Sequence, residues 1–210
     1  MNETKIAFEF NPVHFSPKKV VFGREFKSRI IKPPLPDDIS EEMVKYRYAK
    51  DFAENIEIKK GSRYVAVING SFIFGDFIEA LVVRQNYHIK KMTIGTLSMS
   101  ENNIDSLRNL LKGGYVDELD LIISHHFFSH ERNNLITYAY EQLDFEDKFQ
   151  LAVAGTHQKT CLIETHCGLF IAMHGSANLR SSQNIEHFVI EESKFLYDWM
   201  YEWNQEIIKT

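Results

Sequence analysis

The chain has 210 residues, 44% of them hydrophobic and 25% charged, the make-up of an ordinary globular protein with room for a sizeable core. A formal net charge of −5 excludes a surface that is basic all over, so contact with nucleic acid would have to come from a local patch. No apolar run reaches the roughly 18 to 20 residues that span a bilayer, and the opening MNETKIAFEF lacks a basic-then-apolar leader pattern, so a cytoplasmic protein with no membrane contact is expected.

Residues 1–36 read as an extended, irregular N-terminal lead-in, with KIAFEF and KKVVFG as short strand candidates and KPPLP as a stop. Lys18, Lys19, Arg24, Lys27, Arg29 and Lys32 crowd this segment, which reads first as a solvated loop or edge strand and second as a docking surface. Residues 37–210 read as one α/β domain. Asp37, Asp38 and Ser40 precede EEMVKYRYAKDFAENI, a helix with acids in its first turn. An alternation follows. YVAVI at 64–68 is a strand by its β-branched content, and 72–85 has helical spacing through Phe77, Ile78, Leu81 and Val82.

Strands at 91–97, 119–123 and 149–154 then alternate with helices at 104–111 and 133–143, the first of them stopped by Gly113 and Gly114. Strand-helix units in series imply right-handed crossovers and a largely parallel sheet with helices on both faces. SHHFFSH, holding His125, His126 and His130, reads as a polar loop at the same sheet edge as the segment that follows. Residues 69–71, Asn-Gly-Ser, read as an anion nest or a helix cap. The aromatic stretch FLYDWMYEW at 195–203 has helical spacing, suited to core packing or a dimer contact.

Residues 157–178, HQKTCLIETHCGLFIAMHGSAN, bring together the polar groups that a phosphodiester needs. His157-x-Lys159 is followed after four positions by Glu164, and Gly175-Ser176-x-Asn178 closes the stretch. Strands at 160–163 and 169–173, joined by a turn at His166, Cys167 and Gly168, would carry it. Lys159 supplies a positive charge for a non-bridging oxygen, while Ser176, Asn178 and the backbone at Gly175 supply neutral donors. His157 suits a nucleophile or acid, because an imidazole can hold or release a proton near neutral pH. In open α/β sheets such groups gather beyond the carboxyl ends of strands, where both ends of this stretch fall.

The stretch resembles the HKD signature of the phospholipase D superfamily, HxK, four residues, Asp, a spacer and GSxN. Glu164 stands where the family has Asp, and the spacer after it is longer. The resemblance implies a phospholipase D-like half-domain, no cofactor, no metal, and a phosphohistidine intermediate. It makes His157, Lys159, Asn178 and Glu186 the catalytic set, Lys159, Gly175, Ser176 and Asn178 the phosphate ligands, and Glu164 a structural acid of the motif. Glu186 enters through Asn184-Ile185-Glu186, an Asn-x-Glu context that small single-motif nucleases of the superfamily use to orient the histidine. The mechanism needs two histidines and the chain holds one motif, so a C2 homodimer is implied.

The expected activity is a metal-independent endonuclease on DNA or RNA. The alternatives are a phospholipid hydrolase or transferase, and a non-catalytic nucleic-acid-binding or assembly protein with a drifted motif. A zinc site from His157, Cys161, His166, Cys167 and His174 is disfavoured, because strand alternation splits these residues between faces. Cys161 and Cys167 read instead as small buried packing residues.

Overall fold

The computed structural model describes residues 20–22, 49–68, 72–180 and 184–209. The basic segment of the lead-in, the first turns of the helix expected from residue 41, and Asn69, Gly70 and Ser71 lie outside the described residues, apart from the backbone of a short strand, β1 (Val20–Phe22). The described elements then run α1 (Ala49–Asn55), β2 (Arg63–Ile68), α2 (Phe74–Arg84), β3 (Ile89–Thr96), α3 (Glu101–Lys112) and β4 (Val116–Ser124). They continue with α4 (His125–Glu131), α5 (Leu135–Leu143), β5 (Phe149–Ala154), β6 (Thr160–Thr165), β7 (Phe170–Gly175), β8 (Glu186–Glu192) and α6 (Lys194–Lys209).

The eight described strands form one sheet in the order β1-β5-β4-β3-β6-β7-β8-β2. The α/β class expected from the sequence is the class observed. The sheet has two characters: β1, β5, β4 and β3 run parallel, while β6, β7, β8 and β2 join by antiparallel pairing. Parallel strands need both faces covered, and they are. Leu121, Ile123, Leu151 and Val153 face the large core under the helices α1, α2, α3 and α5. Ile122, Ala152 and Ala154 face Ile207 of α6 on the other side.

Hydrophobic spacing explains α2 and α3. Phe77, Ile78, Leu81 and Val82 recur at helical intervals and are fully buried, each worth on the order of 2–3 kcal/mol of apolar transfer. Ser100 caps α3, accepting from the backbone N–H of Asn103 while the Asn103 side chain accepts from the Ser100 N–H. Phe52, Phe72, Phe74, Phe77 and Phe188 form a cluster with ring centroids 4.9–6.5 Å apart. It clamps β8 against α1 and α2, and so fixes the strand that begins at Glu186.

Two local expectations are corrected. SHHFFSH is a helix rather than a loop: the Ser124 hydroxyl accepts from the Phe127 N–H, and Phe127 and Phe128 are buried. The paired apolar residues anchor a turn that polar composition concealed. Cys161 is buried as expected, but Cys167 is exposed, because it sits in the β6–β7 turn next to Gly168, whose φ is +89°.

Candidate active site

Strand direction gathers the relevant loops at one edge of the sheet. β2, β3, β4, β5 and β7 all end there, and β6 and β8 start there. The segment between β5 and β6 has an unusual course. Its two strands are not neighbours, since β4 and β3 lie between them. Residues 155–159 therefore cross the ends of two strands, a span of about 14 Å at ordinary strand spacing, against a reach of about 20 Å for the fully extended chain. His157 and Lys159 ride on this nearly taut strap.

Both ends of the motif are fastened to the end of β3. The Leu97 N–H, just past β3, donates to Asn178 Oδ1 at 3.3 Å. That bond leaves the Asn178 amide nitrogen, a donor, without an acceptor among the described residues. The Leu179 N–H reaches Thr96 Oγ1 at 3.5 Å, and Gly75 N donates to the Leu179 carbonyl at 2.9 Å. The two motif halves also meet directly, with Gly175 N donating to the Lys159 carbonyl at 3.2 Å. This extends the β6–β7 ladder, in which Thr160 pairs with His174, by one step.

Gly175 is required by packing. A Cβ there would stand 2.2 Å from the His187 carbonyl oxygen and 2.6 Å from Phe188 Cα. β7 and β8 come this close because Ser176 bridges them, with its N–H donating to the His187 carbonyl at 2.9 Å and its hydroxyl accepting from the His187 N–H at 3.1 Å. The Ser176 hydroxyl in turn donates to the Glu186 carboxylate.

His157 is exposed, and its Nδ1 lies 3.1 Å from Lys159 Nζ, which also donates to the His157 carbonyl at 3.1 Å. A lysine ammonium only donates, so Nδ1 accepts and the neutral ring carries its proton on Nε2. Burial lowers the Lys159 pKa, and the charge of Glu186 opposes that shift. Lys159, Ser176 and Glu186 thus form one electrostatic unit beside Asn178. Glu186 does not reach His157; its partner is Ser176. Glu164 sits near the opposite end of β6, where Lys90 Nζ bonds it at 3.3 Å.

The remaining histidines are dispersed. His166 pairs with Asp117 at 2.7 Å across the far edge, and His126 and His130 stack on α4 with centroids 4.1 Å apart. Half-buried His174 has its pKa lowered by burial, against the raising effect of Glu191. No group of three or more His, Cys, Asp or Glu able to hold a metal occurs among the described residues. Sequence reasoning missed the seats on β3 for Asn178 and for Gln158, the middle residue of HxK. Gln158 N donates to Thr156 Oγ1 at 3.1 Å.

No protein-family model matches the chain, and no curated protein matches its sequence. Solved structures do match. Polyphosphate kinase from Porphyromonas gingivalis superposes with a TM-score of 0.54 at 14% identity, over 70% of this chain and 26% of that one. The chain has the phospholipase D-like fold. It spans about a quarter of that kinase's length. NucT from Helicobacter pylori matches at a TM-score of 0.49 and 12% identity, over 70% of this chain and 97% of NucT. A mutant of yeast tyrosyl-DNA phosphodiesterase 1 matches at 0.39 and 11%, over 61% of this chain and 31% of that one. No described helix is long and apolar enough to cross a membrane.

Proposed function

We propose that this chain is a phosphodiesterase of the phospholipase D superfamily, a metal-independent endonuclease on DNA or RNA that forms a phosphohistidine. The observation that carries the reading is the joint fastening of HxK and GSxN at the end of β3, through Asn178 on Leu97 and Gly175 on Lys159. In support, one cation, one imidazole and an amide donor with no acceptor among the described residues lie at a single edge. A phosphodiester needs this set: its charged oxygens must be neutralised before an attacking atom can approach phosphorus.

Lys159 and the Asn178 amide take the non-bridging oxygens. Ser176, held by Glu186, fixes the turn that presents Asn178. His157 acts twice in a C2 homodimer, once from each subunit. One ring, released as its Lys159 turns to the phosphate and with its proton moved to Nδ1, attacks phosphorus from Nε2. The P–O bond to the leaving group breaks, and the other ring, carrying protons on both nitrogens once its own Lys159 has turned to the phosphate, delivers its Nε2 proton to that oxygen and is left neutral. Water then attacks the phosphohistidine, giving its proton back to the second ring and freeing the first. Glu186 enters this scheme through Ser176 and by offsetting the charge of Lys159.

Cleavage of plasmid or single strands in EDTA, lost in His157→Ala, is the expected result; cleavage stopped by EDTA and kept by His157→Ala overturns the mechanism. Light scattering of the active preparation checks the dimer, and a strict monomer mass that still cuts defeats it. Salt-sensitive retention of nucleic acid without product would mark a binding protein instead.

A further inference from the structure

The middle residue of HxK has no part in the chemistry above, yet it has a close-fitting seat on β3. The Gln158 side chain lies over Gly95 of β3, on the face covered by α6. A Cβ at residue 95 would stand 2.2 Å from Gln158 Cδ, 2.5 Å from Cγ and 2.6 Å from Nε2. The glutamine occupies the space that any other residue at 95 would fill. Thr160, the cross-strand partner of Gly95, donates its hydroxyl to Gln158 Oε1 at 3.4 Å. Gln158 Nε2 is buried without a hydrogen-bond partner among the described residues. A buried orphan donor is a cost and the bond from Thr160 is long, so shape, more than hydrogen bonding, is what this side chain contributes.

Along an extended segment alternate side chains point to opposite sides. Seating residue 158 in a notch on one side therefore fixes where residues 157 and 159 emerge on the other, and the 3.1 Å approach of Lys159 Nζ to His157 Nδ1 is its counterpart. We propose that Gln158 is a positioning residue for His157 and Lys159, with Gly95 as its socket. The proposal rests on the phosphodiesterase reading, which supplies the reaction that the positioning serves. This seat ties the centre of the strap to β3, so its loss removes that tie between the strap's two ends.

The test uses the full chain and begins with wild type and His157→Ala, so that failure of the phosphodiesterase reading is seen first and separately. Gln158→Ala should lower kcat by about tenfold or more, since small misplacements of reacting groups are costly, and should alter the pH profile of kcat. Gln158→Met fills the same notch without the orphan amide and should keep wild-type kcat and pH profile. Gly95→Ala should be as harmful as Gln158→Ala, but Gly95→Ala/Gln158→Ala no worse than Gln158→Ala alone, because the added methyl then meets an empty notch. Wild-type kcat and pH profile in Gln158→Ala, or additive losses in the double variant, overturn the positioning role.

Should wild type lack His157-dependent cleavage, the His157 ring resonances in NMR, with inorganic phosphate as the added anion, decide the matter. They should move in Gln158→Ala and stay in Gln158→Met; ring resonances unchanged in Gln158→Ala overturn the proposal.

Discussion

The two halves of the sheet are built differently and contribute differently. In the parallel half, β1-β5-β4-β3, the strands β3, β4 and β5 are covered on both faces and are nearly continuous runs of buried residues. The antiparallel half, β6-β7-β8-β2, thins toward an edge where Val65 and Val67 are 70% and 73% exposed. Every polar group proposed to bind phosphate belongs to the antiparallel half or to the strap leading into it, whereas the parallel half supplies seats, at Gly95, Thr96 and Leu97. A scaffold with two covered faces tolerates little change, while a hairpin-built flank can carry polar residues at its strand ends.

That division can be broken by substitution. His157→Ala, an exposed residue on the strap, should lower cleavage by about 10³-fold or more and leave the melting temperature unchanged. In the parallel half the largest effect should be on stability. Lys91 Nζ reaches Asp120 Oδ1 at 2.8 Å, with side chains 17% and 3% exposed, and Gln205 of α6 also donates to Asp120. Lys91→Met should cost about 3–5 kcal/mol in urea unfolding by leaving a buried carboxylate without its cation, with the proposed cleavage unchanged in the folded protein.

Gly175→Ala mixes the two outcomes, as a residue at the seam should. Its methyl meets backbone at 2.2 Å, so a loss of about 1–3 kcal/mol is expected together with lower cleavage. A stability loss with cleavage intact would show that β7 and β8 can part without disturbing Ser176.

The smallest effect is that of pH on His174. Burial lowers its folded pKa, Arg63 and His187 push the same way, and Glu191 opposes. The unfolded chain therefore takes up this proton first as pH falls. The contribution is present above the ordinary histidine value of 6.5 and is lost as pH drops below it. Melting temperatures between about pH 8 and 5, spanning the ordinary histidine range, should fall further for wild type than for His174→Gln.

Local pattern carried much of this fold into the sequence. The β-branched run at 64–68 and the helical spacing of Phe77, Ile78, Leu81 and Val82 are decided by neighbours along the chain, so they could be read. The hairpin at Gly168 was legible for the same reason. Strand order was not: β2 pairs with β8, more than a hundred residues away, and periodicity says nothing about partners at that distance. At the site, the residue types were legible but their mutual contacts were not. Glu186 reads as a partner for His157, yet the serine bridge between β7 and β8 brings it to Ser176. Gly95 is an ordinary glycine until Gln158 is seen lying on it.

The strap also sets an order of events in folding. It cannot take its course until β3, β4 and β5 have paired in register and β6 has joined the free side of β3, and such distant contacts form slowly because loop closure precedes their reward. In refolding from urea, helical circular dichroism should therefore return before affinity for inorganic phosphate does. On this expectation the proposed anion site is the last thing to form, and its appearance times the completion of the sheet.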